Sequence, residues 1–178
     1  MVGLEILSVH TSITLTQFLD QLNSSQFKEI EKFTVIINKD FVEHPGSVLI
    51  IGNRGDKILF VEQWRQPVKV KTLELPCGTM RSGESAINAA KREFREETGY
   101  GARKFHSIGS FFVAPGYSSE ICEFFIAEDL YEDPLPPDED EEIDLKQFTL
   151  DESFNHIKNK KIIDQGTICA LNIYKSIL

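Results

Sequence analysis

Residues 78–100 read Gly-Thr-Met-Arg-Ser-Gly-Glu-Ser-Ala-Ile-Asn-Ala-Ala-Lys-Arg-Glu-Phe-Arg-Glu-Glu-Thr-Gly-Tyr. The stretch opens as a loop with Gly78 and Gly83, and its pattern predicts a helix over Glu84 to Glu97. Ala86, Ala90 and Phe94 recur at four-residue steps, which stacks them on one helix face. Ala86, Ala89 and Ala90 are strong helix formers, Arg92 stands one turn before Glu96, and Gly99 supplies a C-cap.

Glu93 precedes Glu96 and Glu97 by three and four residues, a spacing that brings Cβ atoms to roughly 5–6 Å on a helix. At an effective dielectric near 20 each such like-charge pair repels by roughly 3 kcal/mol, whereas full solvation cuts this to a few tenths. The cluster is therefore either a solvated face or a cation site. The preceding loop favours the second reading, because glycine lets backbone groups approach the carboxylates and oxygen is the ligand magnesium needs.

Gly78, Glu84, Arg92-Glu93-Phe94, Glu96-Glu97, Gly99 and Tyr100 together resemble a complete Nudix box, with every spacing intact. A pattern of this length in a loop-helix context is far more specific than a lone glycine motif. The resemblance implies an α/β Nudix fold, a mixed β-sheet sandwiched between α-helices, here with an N-terminal extension. It implies metal held by Glu93, Glu96 and Glu97 and by the backbone carbonyl of Cys77, with Arg92 and Glu84 as orienting partners. Magnesium is the expected ion, with manganese as a substitute, since a carboxylate set does not suit zinc. A bound divalent ion neutralises phosphate charge and lowers the pKa of its water, so a pyrophosphate is the natural target. His10, His44, His106 and His156 are not spaced as ligand pairs.

Segments outside the box bear on the substrate. Val61-Glu62-Gln63-Trp64-Arg65-Gln66-Pro67-Val68, followed by Leu73-Glu74-Leu75-Pro76-Cys77-Gly78, resembles the stretch before the box in ADP-ribose pyrophosphatases and related nucleotide-sugar hydrolases. Arg65 and Glu74 are the substrate-binding candidates it implies. Ala114-Pro115-Gly116-Tyr117-Ser118-Ser119-Glu120 resembles that subfamily's later loop, which adds Pro115, Ser119 and Glu120. Proline and glycine together would also make an ordinary turn. Tyr117 falls where dinucleoside polyphosphate hydrolases carry a tyrosine, and the upstream segment breaks that tie. Trp64 is expected to pack against the sheet rather than bind.

Asp138-Glu139-Asp140-Glu141-Glu142 resembles the late loop that supplies a catalytic glutamate in bacterial ADP-ribose pyrophosphatases. On that pattern Glu139 is the general base and Glu141 a further metal contact, with Glu97 or Glu96 as alternative bases and a merely solvated acidic loop as the plain reading. The expected reaction is metal-dependent cleavage of ADP-ribose or a related nucleoside diphosphate sugar to a nucleoside monophosphate and a sugar phosphate. Dinucleoside polyphosphates and oxidised nucleotides are alternative substrates. Nucleotide sensing without hydrolysis is a third reading, disfavoured because the box carboxylates are retained.

The rest of the chain sets bounds. Its 178 residues and 41% hydrophobic content fit one compact unit. A net charge of -9 argues against nucleic acid and anionic membranes as partners. No apolar run approaches the roughly 18 residues of a membrane span, and Met1 to His10 lacks the basic start of an export signal. Cys77, Cys122 and Cys169 suit neither a disulfide framework nor zinc, so a reducing cytoplasm is expected. Residues 1–46 are read as an arm, with a helix over 13–33 and a strand over 33–38, that builds a homodimer. Residues 47–178 are read as the Nudix domain, with a hairpin around 53–56, strands over 105–113, 121–127 and 143–148, and an acidic loop over 128–142. Thr149 and Glu152 have capping-box spacing before one late helix, and a second runs over 167–178.

Overall fold

The apolar run Val48-Leu49-Ile50-Ile51 is buried on both sides, as a central strand requires. Val48 and Ile50 point into one core and Leu49 and Ile51 into the other, so a single strand divides the interior. The computed structural model describes residues 6–7, 41–136 and 142–178. The helix and strand expected over 13–38, and Glu139 and Glu141, lie outside the described residues.

Two short strands, β1 (Ile6–Leu7) and β2 (Phe41–Val42), pair with each other. Among the described residues the main sheet has seven strands. They are β3 (Ser47–Arg54), β4 (Lys57–Arg65), β5 (Val70–Glu74), β6 (Cys77–Thr79), β7 (Tyr100–Phe112), β8 (Ile121–Glu132) and β9 (Ile143–Thr149). β3 runs parallel to β8 and antiparallel to β4 and β6, and β4 also pairs with β5 and β9, so the sheet is mixed as expected.

Helix α1 (Ala86–Thr98) covers one face, where Ala89, Ala90 and Phe94 meet Val48, Ile50, Leu59, Phe125 and Ala127. The other face packs Leu49, Ile51, Ile58 and Phe60 against residues of α2 (Leu150–Lys158) and α3 (Gln165–Ile177). Gly99 ends α1 at φ 76, the left-handed C-cap predicted from its position. The Thr149–Glu152 capping box forms in both directions at the start of α2.

Several expectations are corrected. α1 begins at Ala86, leaving Glu84 in the loop ahead of the N-cap Ser85. Residues 128–132 continue β8 rather than open a loop, paired with the start of β7 and bearing cross-strand ion pairs such as Lys104 Nζ–Asp129 Oδ2 at 2.7 Å. Alternating charges on an exposed ladder read like a solvated loop in the sequence, yet opposite charges across the ladder support the strand. Gly78 and Thr79, expected in the loop, belong to β6 because they pair with Val48 and Ser47 of β3. Trp64 does not pack under the sheet: it is 50% exposed, and its Nε1 donates to Gln66 Oε1 at 2.8 Å.

The described end of the arm is hydrogen-bonded to the domain. Val42 N donates to the Tyr117 carbonyl, Ser119 N to the Val42 carbonyl, and Met80 N to the Gly46 carbonyl.

Candidate active site

Because α1 buries Phe94, it turns Arg92, Glu93 and Glu96 toward the loop that precedes it. Arg92 is the hub. Its Nε and Nη2 donate to the two carboxylate oxygens of Glu84 at 3.0 and 2.9 Å, and its Nη1 reaches Glu93 at 2.7 Å and Glu96 at 2.8 Å. Nη2 also donates to the Thr79 carbonyl at 3.2 Å, tying helix to strand. Burial opposes the Arg92 charge, but the hydrogen bonds with Glu84 and Glu93 outweigh it and raise its pKa. The hydrogen bond from Arg92 holds the Glu84 carboxyl below the ordinary glutamate value. Arg81, which the sequence reading did not single out, donates its backbone N–H to Glu84 and approaches Glu96 at 3.5 Å.

Glu97, one turn on from Glu93, is 6% exposed. Its Oε2 accepts from the backbone N–H of Cys77 at 2.9 Å, which sets the start of β6 against the helix. Gly78 follows, and a Cβ there would lie 2.0 Å from Glu93 Cδ, so only glycine lets that carboxylate lie against the strand.

Arg65 and Glu74 form a bidentate pair, with Nε–Oε1 at 2.9 Å and Nη2–Oε2 at 2.5 Å. They meet because Val61↔Glu74 and Arg65↔Val70 fix the register of β4 and β5. Burial alone would push the Glu74 carboxyl up, but hydrogen bonds from Arg65 and Thr72, with the charge of Arg65, leave it below the ordinary value. The hydrogen bond to Glu74 likewise raises Arg65. Arg65 Nη2 lies 3.5 Å from Cys77 Sγ, so the pair connects through Cys77 to Glu97. Burial, and then the charges of Glu97 and Glu74, push the Cys77 thiol well above its usual pKa, which keeps it neutral and unreactive.

The later loop stands apart from this network. Pro115 is exposed in a turn closed by Tyr117 N and Ser118 N donating to the Ala114 carbonyl. Ser119 Oγ accepts from His44 N at 2.9 Å, and Glu120 Oε1 accepts from Ser47 Oγ at 2.7 Å. Ser119 lines a cleft of about 240 Å³ with His44, Ser47, Met80, Ile121 and Glu123, and Met80 joins that cleft to the box loop. Alternation along β4 and β5 could have pointed to Thr72, which bonds Glu74; Arg81 and the Ser47–Glu120 contact leave no signal in local spacing.

Among the described residues no three His, Cys, Asp or Glu side chains converge as a ready ligand set, since Glu93 and Glu96 both close on Arg92. The donor chemistry nevertheless fits a hard divalent cation. Glu93 and Glu96 are 12% and 11% exposed, side by side on one helix face, and the missing Cβ of Gly78 leaves the cradle in which Glu93 lies.

A mixed sheet between helices, with a carboxylate-bearing helix entered through a glycine loop, is an α/β architecture with a candidate cation site at one helix face. The fold resembles a crystal structure of ADP compounds hydrolase, with a TM-score of 0.72 at 23% identity, covering 79% of this chain and 77% of that one. The NUDIX domain family model matches residues 43–169. The chain is 34% identical over 136 residues to an ADP-ribose pyrophosphatase of Bacillus subtilis, covering 75% of this chain and 74% of the relative. Over the same length it is 38% identical to a methanol dehydrogenase activator of Bacillus methanolicus. The chain belongs to the Nudix family, on its ADP-ribose pyrophosphatase side, and is a pyrophosphohydrolase. No helix among the described residues is long and apolar enough to cross a membrane.

Proposed function

We propose that this chain hydrolyses the pyrophosphate of ADP-ribose, or of a closely related nucleoside diphosphate sugar, to a nucleoside monophosphate and a sugar phosphate, with magnesium as cofactor and manganese as a substitute. The observation that carries this reading is the link from Glu74 through Arg65 and Cys77 to Glu97, which puts the substrate-binding candidate Arg65 beside the carboxylate helix. The names of the Bacillus subtilis relative and of a GDP-mannose pyrophosphatase 28% identical over 135 residues support the substrate class.

Glu93, Glu96, Glu97 and the Cys77 carbonyl would hold the ion, with Glu141 as an added contact. When bound, it supplies charge neutralisation at the phosphates and an acidified water. Arg92 orients Glu93 and Glu96, and Glu84 holds Arg92 in place. Arg65 engages a phosphate oxygen as a bidentate donor. Glu139 acts as general base, with Glu97 or Glu96 in that role if it does not. Pro115, Ser119 and Glu120 shape the far end of the substrate site. Residues 1–46 act as a dimerisation arm on the 47–178 domain, giving a cytoplasmic homodimer that takes a small nucleotide and binds neither nucleic acid nor membrane.

The test is a magnesium-dependent panel of ADP-ribose, other nucleotide sugars, dinucleoside polyphosphates and nucleoside triphosphates, with products separated. AMP and ribose 5-phosphate from ADP-ribose are expected. Preference for a dinucleoside polyphosphate would move the substrate class, and silence across the panel would leave nucleotide sensing. Glu97→Gln should lower turnover on the order of 10²- to 10³-fold with the fold intact. Activity near that of the parent would remove Glu97 from the site.

A further inference from the structure

Gln63 lies on β4 between Val61 and Arg65, on the side of the strand that carries Leu59 into the core beneath α1. It is 5% exposed, and its Nε2 has no hydrogen-bond partner among the described residues. Burying an amide donor without a partner is costly, so a retained one calls for a second state in which it is used.

The neighbours show what that state is. Thr72 stands directly opposite Gln63 on β5, and its Oγ1 donates to the Glu74 carboxylate. Glu74 is therefore the diagonal neighbour of Gln63 on the same face, within reach of a side chain of that length. In the Arg65–Glu74 pair the arginine side chain is 39% exposed and the carboxylate 5%. Arg65 can turn toward solvent and a ligand, but Glu74 cannot follow. An anion that captures Arg65 would strip a buried carboxylate of two hydrogen bonds and its counter-charge, leaving it Thr72 and, at 3.8 Å, the weakly donating Cys77 thiol.

We propose that Gln63 is a positioning residue that donates its Nε2 to Glu74 when Arg65 engages the substrate's phosphate, so that the arginine is released from its ion pair without orphaning the carboxylate. This rests on the reading that Arg65 binds substrate. It requires that Gln63 contribute to the substrate-bound enzyme and not to the free one. Loss of its amide then weakens substrate binding while leaving the free protein no less stable.

The experiment compares Gln63→Met, Gln63→Leu, Arg65→Lys and the Gln63→Met/Arg65→Lys double variant in the full chain, reading thermal midpoint without ligand and KM and kcat for ADP-ribose with magnesium. Gln63→Met and Gln63→Leu are expected to melt at or above the parent midpoint, with KM raised about tenfold and kcat within about twofold. Arg65→Lys should raise KM on its own, and the double variant should be clearly less than additive, because both changes act on one exchange. Unchanged KM in Arg65→Lys overturns the substrate role of Arg65 and the proposal with it. A raised KM in Arg65→Lys beside an unchanged KM in both Gln63 variants overturns the role of Gln63 alone. Gln63 variants that are insoluble, or that melt lower with KM unchanged, would assign the amide a purely structural part.

Discussion

The two faces of the central sheet are built by the same packing and serve different ends. Beneath α1, Phe94, Ala89 and Ala90 press on Val48, Ile50 and Leu59; on the other side Phe60, Leu75, Ile162 and Leu171 close a larger core with α2 and α3. Both helix layers have charged outer sides. On the other side, α2 opens on a capping box and Lys175 of α3 stacks on Phe154 of α2, contacts that steady the two helices and their packing. The charges of α1 converge on a guanidinium that is 13% exposed and bonded to three glutamates. Among the described residues, like charge at the edge of a core crowds on the face that carries the candidate site, and Arg92 is what makes it tolerable.

The largest effect expected from breaking this contrast is on stability. Phe94→Ala and Phe60→Ala each remove a fully buried ring, one on each face, and each should cost about 3–5 kcal/mol in urea unfolding. If the faces are equivalent as packing, the two losses agree, and a loss below about 1 kcal/mol for either would show that its face does not carry the core. Gly78→Ala is expected to act on the α1 side alone. Its Cβ would displace the Glu93 carboxylate, lowering turnover about 10²-fold while the sheet stays folded, a split visible as lost rate with an unchanged circular dichroism spectrum.

The smallest effect concerns pH. Glu74 and Glu84 have carboxyl pKa values lowered in the folded chain, so they bind protons more weakly there than in the unfolded one. Their contribution is complete above the ordinary glutamate value of 4.5 and is lost as pH falls from there through their lowered folded values. The thermal midpoint should thus fall on acidification below about pH 4.5. The fall should be shallower in Glu74→Gln, whose site is buried, than in Glu152→Gln, whose lowered carboxyl sits at an exposed cap on the other face. Equal slopes in the two variants would mean that burial adds nothing to the α1-side pairs.

What could be read from the sequence was local. The helix over Ala86–Thr98, its Gly99 cap, the Thr149–Glu152 box and the grouping of Glu93, Glu96 and Glu97 all follow from spacings of three and four residues, which a helix converts directly into neighbours. Arg65 and Glu74 were marked by resemblance, but their pairing depends on the register of two strands. The rest was decided by tertiary structure. The hydrogen bond from Cys77 to Glu97 spans 20 positions, the one from Ser47 to Glu120 spans 73, and the solitary donor of Gln63 exists only because β5 and β9 flank it. The charged end of β8 read as a loop until the opposing charges of β7 were placed across from it. Contacts of this kind are set by which strands lie side by side and in what register, and residue spacing within one segment carries no record of that.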